Sequence, residues 1–231
     1  MDFSLHIAFH LDARQHCVSN AGEALSVKVY ADLINSMNFE KVLIFDAPRG
    51  VATALINNVL ITDNHTLGKD DLYDIKQRVF ADAETFTKDY VNDLFVLISP
   101  DAGSNKKIYK LSADLQGVHN VVRADKLRDV SNGKIIETIV YADDAALQGK
   151  TCVIIDDICS KGGTFCALAK VLKKRGADKV YLIVSHYEST ANLQTLNEFG
   201  IDGVITTNSK PILDSDPNML TVYDIDKYIN F

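Results

Sequence analysis

The chain has no apolar run near the ~20 residues needed to cross a bilayer. Its start, Met-Asp-Phe-Ser-Leu-His, has no basic segment leading into an apolar core. No secretory signal is therefore predicted, and the cytoplasm is the expected compartment, with no membrane contact. Positive charge is in short supply: 24 Lys and Arg face 31 Asp and Glu, a formal balance of −7. That balance argues against broad nucleic-acid binding and requires any anion-handling site to gather its cations locally. The four cysteines, Cys17, Cys152, Cys159 and Cys166, form no C-x-x-C pair and no zinc spacing with His. Cys152 and Cys166 fall in predicted core positions. Cys159 falls in a predicted loop, where a thiol can be reactive. There is no repeat of solenoid period and no low-complexity segment. What is present is 231 residues, 47% apolar and 24% charged, an ordinary globular balance with room for one large or two small domains.

Apolar runs of strand length alternate with helical patterns, which predicts an α/β fold with a mostly parallel sheet flanked by helices. Strands are expected at Leu5–Leu11, Val42–Phe45 and Val59–Thr62, with helices at Gly22–Met37 and Val51–Asn57. Ala24, Leu25, Val29, Leu33 and Ile34 set the helical period of the first of these. Asp63–Asp71 is polar and contains Gly, a plausible boundary. Residues 1–66 then form a small N-terminal part and 67–231 the main domain. In the second part, Leu72–Tyr90, Lys106–Gln116 and Asn192–Phe199 read as helices. Leu94–Ile98, His119–Arg123, Lys134–Val140, Val180–Val184, Val204–Thr207 and Leu220–Tyr223 read as strands.

Chemistry concentrates in Thr151-Cys-Val-Ile-Ile-Asp-Asp-Ile-Cys-Ser-Lys-Gly-Gly-Thr164. The apolar strand Cys152–Ile155 delivers Asp156 and Asp157, and a Gly-containing turn leads to Thr164 and a helical pattern ending at Arg175. Ligands of open α/β sheets bind at the carboxyl ends of strands. A Gly-rich turn at a helix N-terminus cradles an anion with backbone N–H groups. Two carboxylates beside that cradle suit vicinal sugar hydroxyls. The stretch therefore asks for a sugar phosphate, specifically a ribose 5-phosphate.

This stretch resembles the phosphoribosyl pyrophosphate (PRPP) loop of type I phosphoribosyltransferases and of ribose-phosphate pyrophosphokinases, the PRPP synthetases. The resemblance implies that Asp156 and Asp157 hold ribose hydroxyls. It also implies that Cys159, Ser160, Lys161, Gly162, Gly163 and Thr164 surround the 5-phosphate. Three further segments are similar to PRPP synthetases and occur in the same order. Asp12-Ala-Arg-Gln15 matches a segment whose Arg and Gln face ATP, which carries over to Arg14 and Gln15. Ser99-Pro-Asp-Ala-Gly103 matches a segment whose acid, here Asp101, lies at the metal and ribose site. On its own this would be a Pro-Asp-Gly turn capping a helix. Ala124–Lys134 is charged and reads either as a solvated hairpin or as a mobile loop closing over phosphates. Its Lys-x-Arg resembles the family's catalytic loop, which assigns Lys126 and Arg128 to the transferred diphosphate.

The implied activity is diphosphate transfer from ATP to ribose 5-phosphate with Mg²⁺, in a protein that self-associates. Three departures qualify it. The chain opens where these enzymes are already inside their N-terminal domain, so residues 1–66 are expected to be an incomplete subdomain. Pro48 stands where the family has a metal-binding His. Ser160 and Lys161 stand where an acid and a small residue are usual. Two rivals stay open: a PRPP-consuming phosphoribosyltransferase, and an inactive binding or regulatory subunit. His186, after a predicted strand, is assigned either to structure or to the site.

Overall fold

Two compact units divide the chain, Met1–Asn64 with Asp224–Phe231, and His65–Tyr223. The computed structural model describes residues 3–10, 18, 21–47, 50–62, 95–114, 120–129, 135–214 and 216–228. Arg14, Gln15, Pro48 and the predicted helix over 72–90 lie outside these residues.

In the first unit β1 (Ser4–Ile7), β2 (Lys41–Phe45) and β3 (Val59–Thr62) form a parallel sheet in that order. Helices α1 (Ser26–Ser36) and α2 (Val51–Leu55) connect them. Val42 to Phe45 are all buried, as expected of a central strand covered on both faces. Helix α1 turns Val27, Ala31 and Ile34 inward at helical spacing. It begins later than the periodicity suggests, because Gly22 at φ +91° still lies in a turn. Strand β1 ends at Ile7, where its pairing with β2 runs out at Ile7–Ile44.

The second unit carries a seven-stranded sheet. Its strands are β4 (Phe95–Ser99), β5 (Val121–Arg128), β6 (Ile135–Tyr141), β7 (Thr151–Cys159), β8 (Lys179–Tyr187), β9 (Gly203–Thr207) and β10 (Leu220–Tyr223). The order across the sheet is β10-β9-β8-β7-β4-β5-β6. Every neighbouring pair is parallel except β5–β6. Helices α3 (Asn105–Asp114), α4 (Gly163–Lys174) and α5 (Leu193–Glu198) belong to this unit. The α/β class and the mostly parallel sheet are as predicted.

Strands β4 and β7 are neighbours, yet the chain leaves them in opposite directions. After β4 it moves to β5 and β6; after β7 it moves to β8, β9 and β10. That is a topological switch point, where the carboxyl ends of two parallel strands frame a crevice. The core beneath is built by β7, whose residues Thr151 to Ile155 are all buried, and by α4. That helix turns Phe165, Leu168, Ala169 and Leu172 inward.

Two expected boundaries are corrected. Strand β7 does not stop at Ile155. Its pairing with β8 continues to Cys159–Tyr187, so the acid pair lies within the strand. The charged run 124–134 is not a loop throughout. Ala124–Arg128 extends β5, paired antiparallel with β6, and residues 130–134 lie outside those described. Ala124 and Val140 are a buried cross-strand pair, and that apolar contact holds the charged strand in register.

Candidate functional site

Register sets where the acids stand. Pairing of β4 with β7 ends at Ile98–Ile154, so β7 projects beyond its neighbour and carries Asp156 and Asp157 over the switch point. Asp101 follows the end of β4. Its Oδ1 accepts the N–H of Gly103 at 2.9 Å and of Ser104 at 3.2 Å, a cap at the entry to α3. Ser104 joins the two strand ends. Its Oγ donates to Asp156 Oδ1 at 2.9 Å and lies 3.4 Å from Asp101 Oδ1. Asp156 Oδ1 also accepts the Asp157 N–H at 3.0 Å. Lys126, from β5, places Nζ 2.8 Å from Asp101 Oδ2.

The carboxyl groups respond differently to this crowding. Burial pushes Asp156 upward, and the charges of Asp157 and Asp101 add to it, while Ser104 and the Asp157 N–H pull the other way. Burial also works against ionised Asp101. There the Lys126 ammonium and the Ser104 and Gly103 N–H groups outweigh it and hold the carboxyl below its usual range.

Past β7 the chain makes the tight turn Ser160–Gly162 into α4. Gly162 is left-handed, at φ +74°, and a Cβ there would meet Leu196 Cδ2 at 2.8 Å and Ala191 Cβ at 3.5 Å. Both the backbone and the space therefore require Gly. The first turn of α4 presents N–H groups that no helical carbonyl reaches, beside the positive end of the helix dipole. Lys161 is exposed, and Ser160 and Thr164 are partly exposed.

The segment after β8 braces the turn. Glu188 N–H donates to Cys159 O at 2.8 Å, and Thr190 Oγ1 donates to Ser160 O at 3.0 Å. Lys210 Nζ in turn holds Glu188 Oε1 at 2.8 Å. His186 is fully buried, with Nδ1 2.8 Å from Ser209 Oγ, which places it in the packing between β8 and the segment after β9.

The structure thus brings Asp101, Lys126, Asp156, Asp157 and the Ser160–Thr164 turn to the carboxyl edge of one sheet. Arg128 closes β5 opposite Ile135. Cys159 is corrected: it closes strand β7 with its side chain fully buried, and burial pushes its thiol up to about 12, which disfavours the reactive thiolate. The sequence reading missed Ser104, Thr190, Glu188 and Lys210. Ser104 was within reach, since it directly follows the Ser-Pro-Asp-Ala-Gly segment and enters a helix. The other three act only through tertiary contacts.

A phosphoribosyl transferase domain matches residues 69–198. A ribose-phosphate pyrophosphokinase of Cereibacter sphaeroides is 32% identical over 175 residues, covering 75% of this chain and 47% of that protein. One of Marinomonas is 28% identical over 200 residues, covering 84% and 56%. The chain therefore spans about half the length of the curated relatives it matches. A crystal structure of a phosphoribosylpyrophosphate synthetase from Mycobacterium smegmatis superposes with a TM-score of 0.76 at 24% identity, covering 98% of this chain and 68% of that one, a likeness of fold. The chain belongs to the phosphoribosyl transferase domain family.

Proposed function

We propose that the carboxyl edge of the seven-stranded sheet binds ribose 5-phosphate or PRPP. One observation carries this reading: an acid pair and a left-handed Gly turn at a helix N-terminus sit together at the switch point. Asp156 and Asp157 accept the ribose hydroxyls, and the Ser160–Thr164 turn takes the 5-phosphate. Lys161, exposed on that turn, adds a cation on the phosphate side.

The fuller activity within this proposal is that named for the relatives, a ribose-phosphate pyrophosphokinase reaction. The 1-hydroxyl of ribose 5-phosphate would attack the β-phosphorus of ATP, losing its proton and releasing AMP. Lys126 and Arg128 would neutralise the charge on the transferred group. Arg14 and Gln15 would face ATP, and the setting would be cytoplasmic, with copies of the chain associating. The Mg²⁺ that the resemblance implies does not fit Asp101 as it stands, because both of its oxygens are engaged. Among the described residues no three His, Cys, Asp or Glu side chains are placed to hold a metal. No step is assigned to the ion. Pro48 at the family's metal-His position favours a second reading, binding of the sugar phosphate with little or no diphosphate transfer.

Calorimetric titration with ribose 5-phosphate, PRPP and ATP tests the site, and assays with ATP plus ribose 5-phosphate or PRPP plus free bases separate the activities. Asp157→Ala removes a charged acceptor and is expected to weaken ribose 5-phosphate binding by about 1.5–3 kcal/mol. Unchanged affinity in the folded variant rejects the assignment.

A further inference from the structure

Three carboxyl groups, Asp101, Asp156 and Asp157, gather at the ends of two neighbouring strands. Such a cluster requires a counter-charge. The chain supplies one itself. Lys126 Nζ lies 2.8 Å from Asp101 Oδ2, and both side chains are about three-quarters buried, at 23% and 26% exposure. The pair is built by register rather than by a chance meeting of long surface side chains. Strand β5 pairs with β4 up to Ser99–Arg123, so Lys126 overhangs the end of β4 where Asp101 stands. Its other neighbour, Thr138 on β6, fixes it from the far side.

The remaining oxygen of Asp101 accepts two backbone N–H groups, and Ser104 ties the cluster to Asp156. A hard divalent ion recruits carboxylate oxygens that can turn toward it. Asp101 is held by a cation on one side and by its helix entry on the other.

We infer that Lys126 is the resident cation of this acid cluster and keeps a divalent metal off Asp101. The sugar phosphate then binds without a metal bridge to that residue. This last consequence rests on the reading of the 156–164 stretch as a ribose 5-phosphate site. The exclusion of metal from Asp101 does not.

Mn²⁺ serves as the probe, followed by the electron paramagnetic resonance signal of the free ion, on the full chain and without any sugar phosphate. Wild type is expected to leave Mn²⁺ free over a range in which Lys126→Ala binds one ion. The gain should be about tenfold or more, since a unit charge a few ångströms away is removed from a partly buried site. Adding Asp101→Asn to Lys126→Ala should abolish the gain. Lys126→Gln keeps most of the stem and repeats the test should the Ala variant fold poorly. Mn²⁺ binding to wild type that Asp101→Asn removes overturns the inference. Equal Mn²⁺ affinity in wild type and both Lys126 variants overturns it as well. In a separate titration, ribose 5-phosphate should bind wild type with the same affinity in Mg²⁺ and in chelator, within about twofold. Failure of ribose 5-phosphate to bind at all counts against the proposed function, and the Mn²⁺ titrations still decide the role of Lys126.

Discussion

Gly162→Val is expected to abolish ribose 5-phosphate binding and to destabilise the second unit by about 2–5 kcal/mol. Two independent costs meet at this residue. Its φ of +74° lies in the left-handed region, where a side chain costs about 1–2 kcal/mol and a β-branched one more. A Cβ would also lie 2.8 Å from Leu196 Cδ2. Leu196 is buried and cannot swing aside into solvent. Its helix α5 is fixed at its start by Asn192 Oδ1, which accepts the Thr195 N–H at 3.1 Å. Relief must therefore come from the turn itself, and moving the turn moves the first N–H groups of α4. Gly163 is the control. A Cβ there meets nothing within 4 Å, and its φ is not positive. Gly163→Ala should leave the folding stability unchanged or raise it by up to about 1 kcal/mol. Thermal melts and ribose 5-phosphate titrations of both variants check this. Equal behaviour of the two variants would remove the special standing given to Gly162.

The turn was legible in the sequence because its chemistry is contiguous. Asp156, Asp157, Gly162 and Thr164 lie within nine residues, and a central strand followed by Gly and a helix leaves few alternatives for their placement. The parallel sheet was legible for a similar reason, since Val42–Phe45, Phe95–Ile98 and Cys152–Ile155 are continuous apolar runs of the kind that strands buried on both faces require. Strand β5 was harder. Its stretch Arg123-Ala-Asp-Lys-Leu-Arg128 carries charge on both faces, so neither alternation nor apolar content marks it. It becomes a strand because Ala124 packs opposite Val140, and because Arg123 covers the ring of its cross-strand partner Tyr141 at 5.4 Å. Those partners lie in β6, whose antiparallel register no local pattern encodes.

The same reasoning explains Cys159. Of the seven residues after Ile155 only Ile158 is large and apolar, so the stretch reads as a loop, and only the ladder from β7 to β8 carries the strand onward to bury the thiol. The Lys126–Asp101 pair was illegible for a related reason: 25 residues separate the partners, and β4–β5 adjacency alone brings them together. What sequence reading located was the residue types a sugar phosphate requires. What it did not locate was how Lys126 balances the charge of Asp101.

That balance leads to the second large effect. Asp156→Asn is expected to raise the melting temperature at pH 8 while weakening ribose 5-phosphate binding. In the folded chain Asp156 is pushed up to about 7 by burial, then by the charges of Asp157 and Asp101, against the pull of Ser104 and the Asp157 N–H. Lys126 is engaged with Asp101. The sign follows from proton uptake. Between the unfolded carboxyl value and about 7, the folded chain holds a proton at this position that the unfolded chain has lost, so stability falls as pH rises through that window. Above it the full cost of an ionised Asp156 is present, bounded by about 4 kcal/mol for a shift of roughly three pH units. Asn removes the charge yet keeps an oxygen to accept from Ser104 Oγ and the Asp157 N–H. The stabilisation should therefore be largest at pH 8 and shrink as pH falls through 7 toward 4. Melts of wild type and Asp156→Asn across that range, with ribose 5-phosphate titrations at pH 8, give both readouts. A variant that melts lower than wild type at pH 8, or one whose gain is the same at pH 5 and pH 8, would show that Asp156 carries no stored electrostatic cost. The predicted combination, a more stable fold with a weaker site, is what a carboxylate held ready for a sugar's hydroxyls should produce.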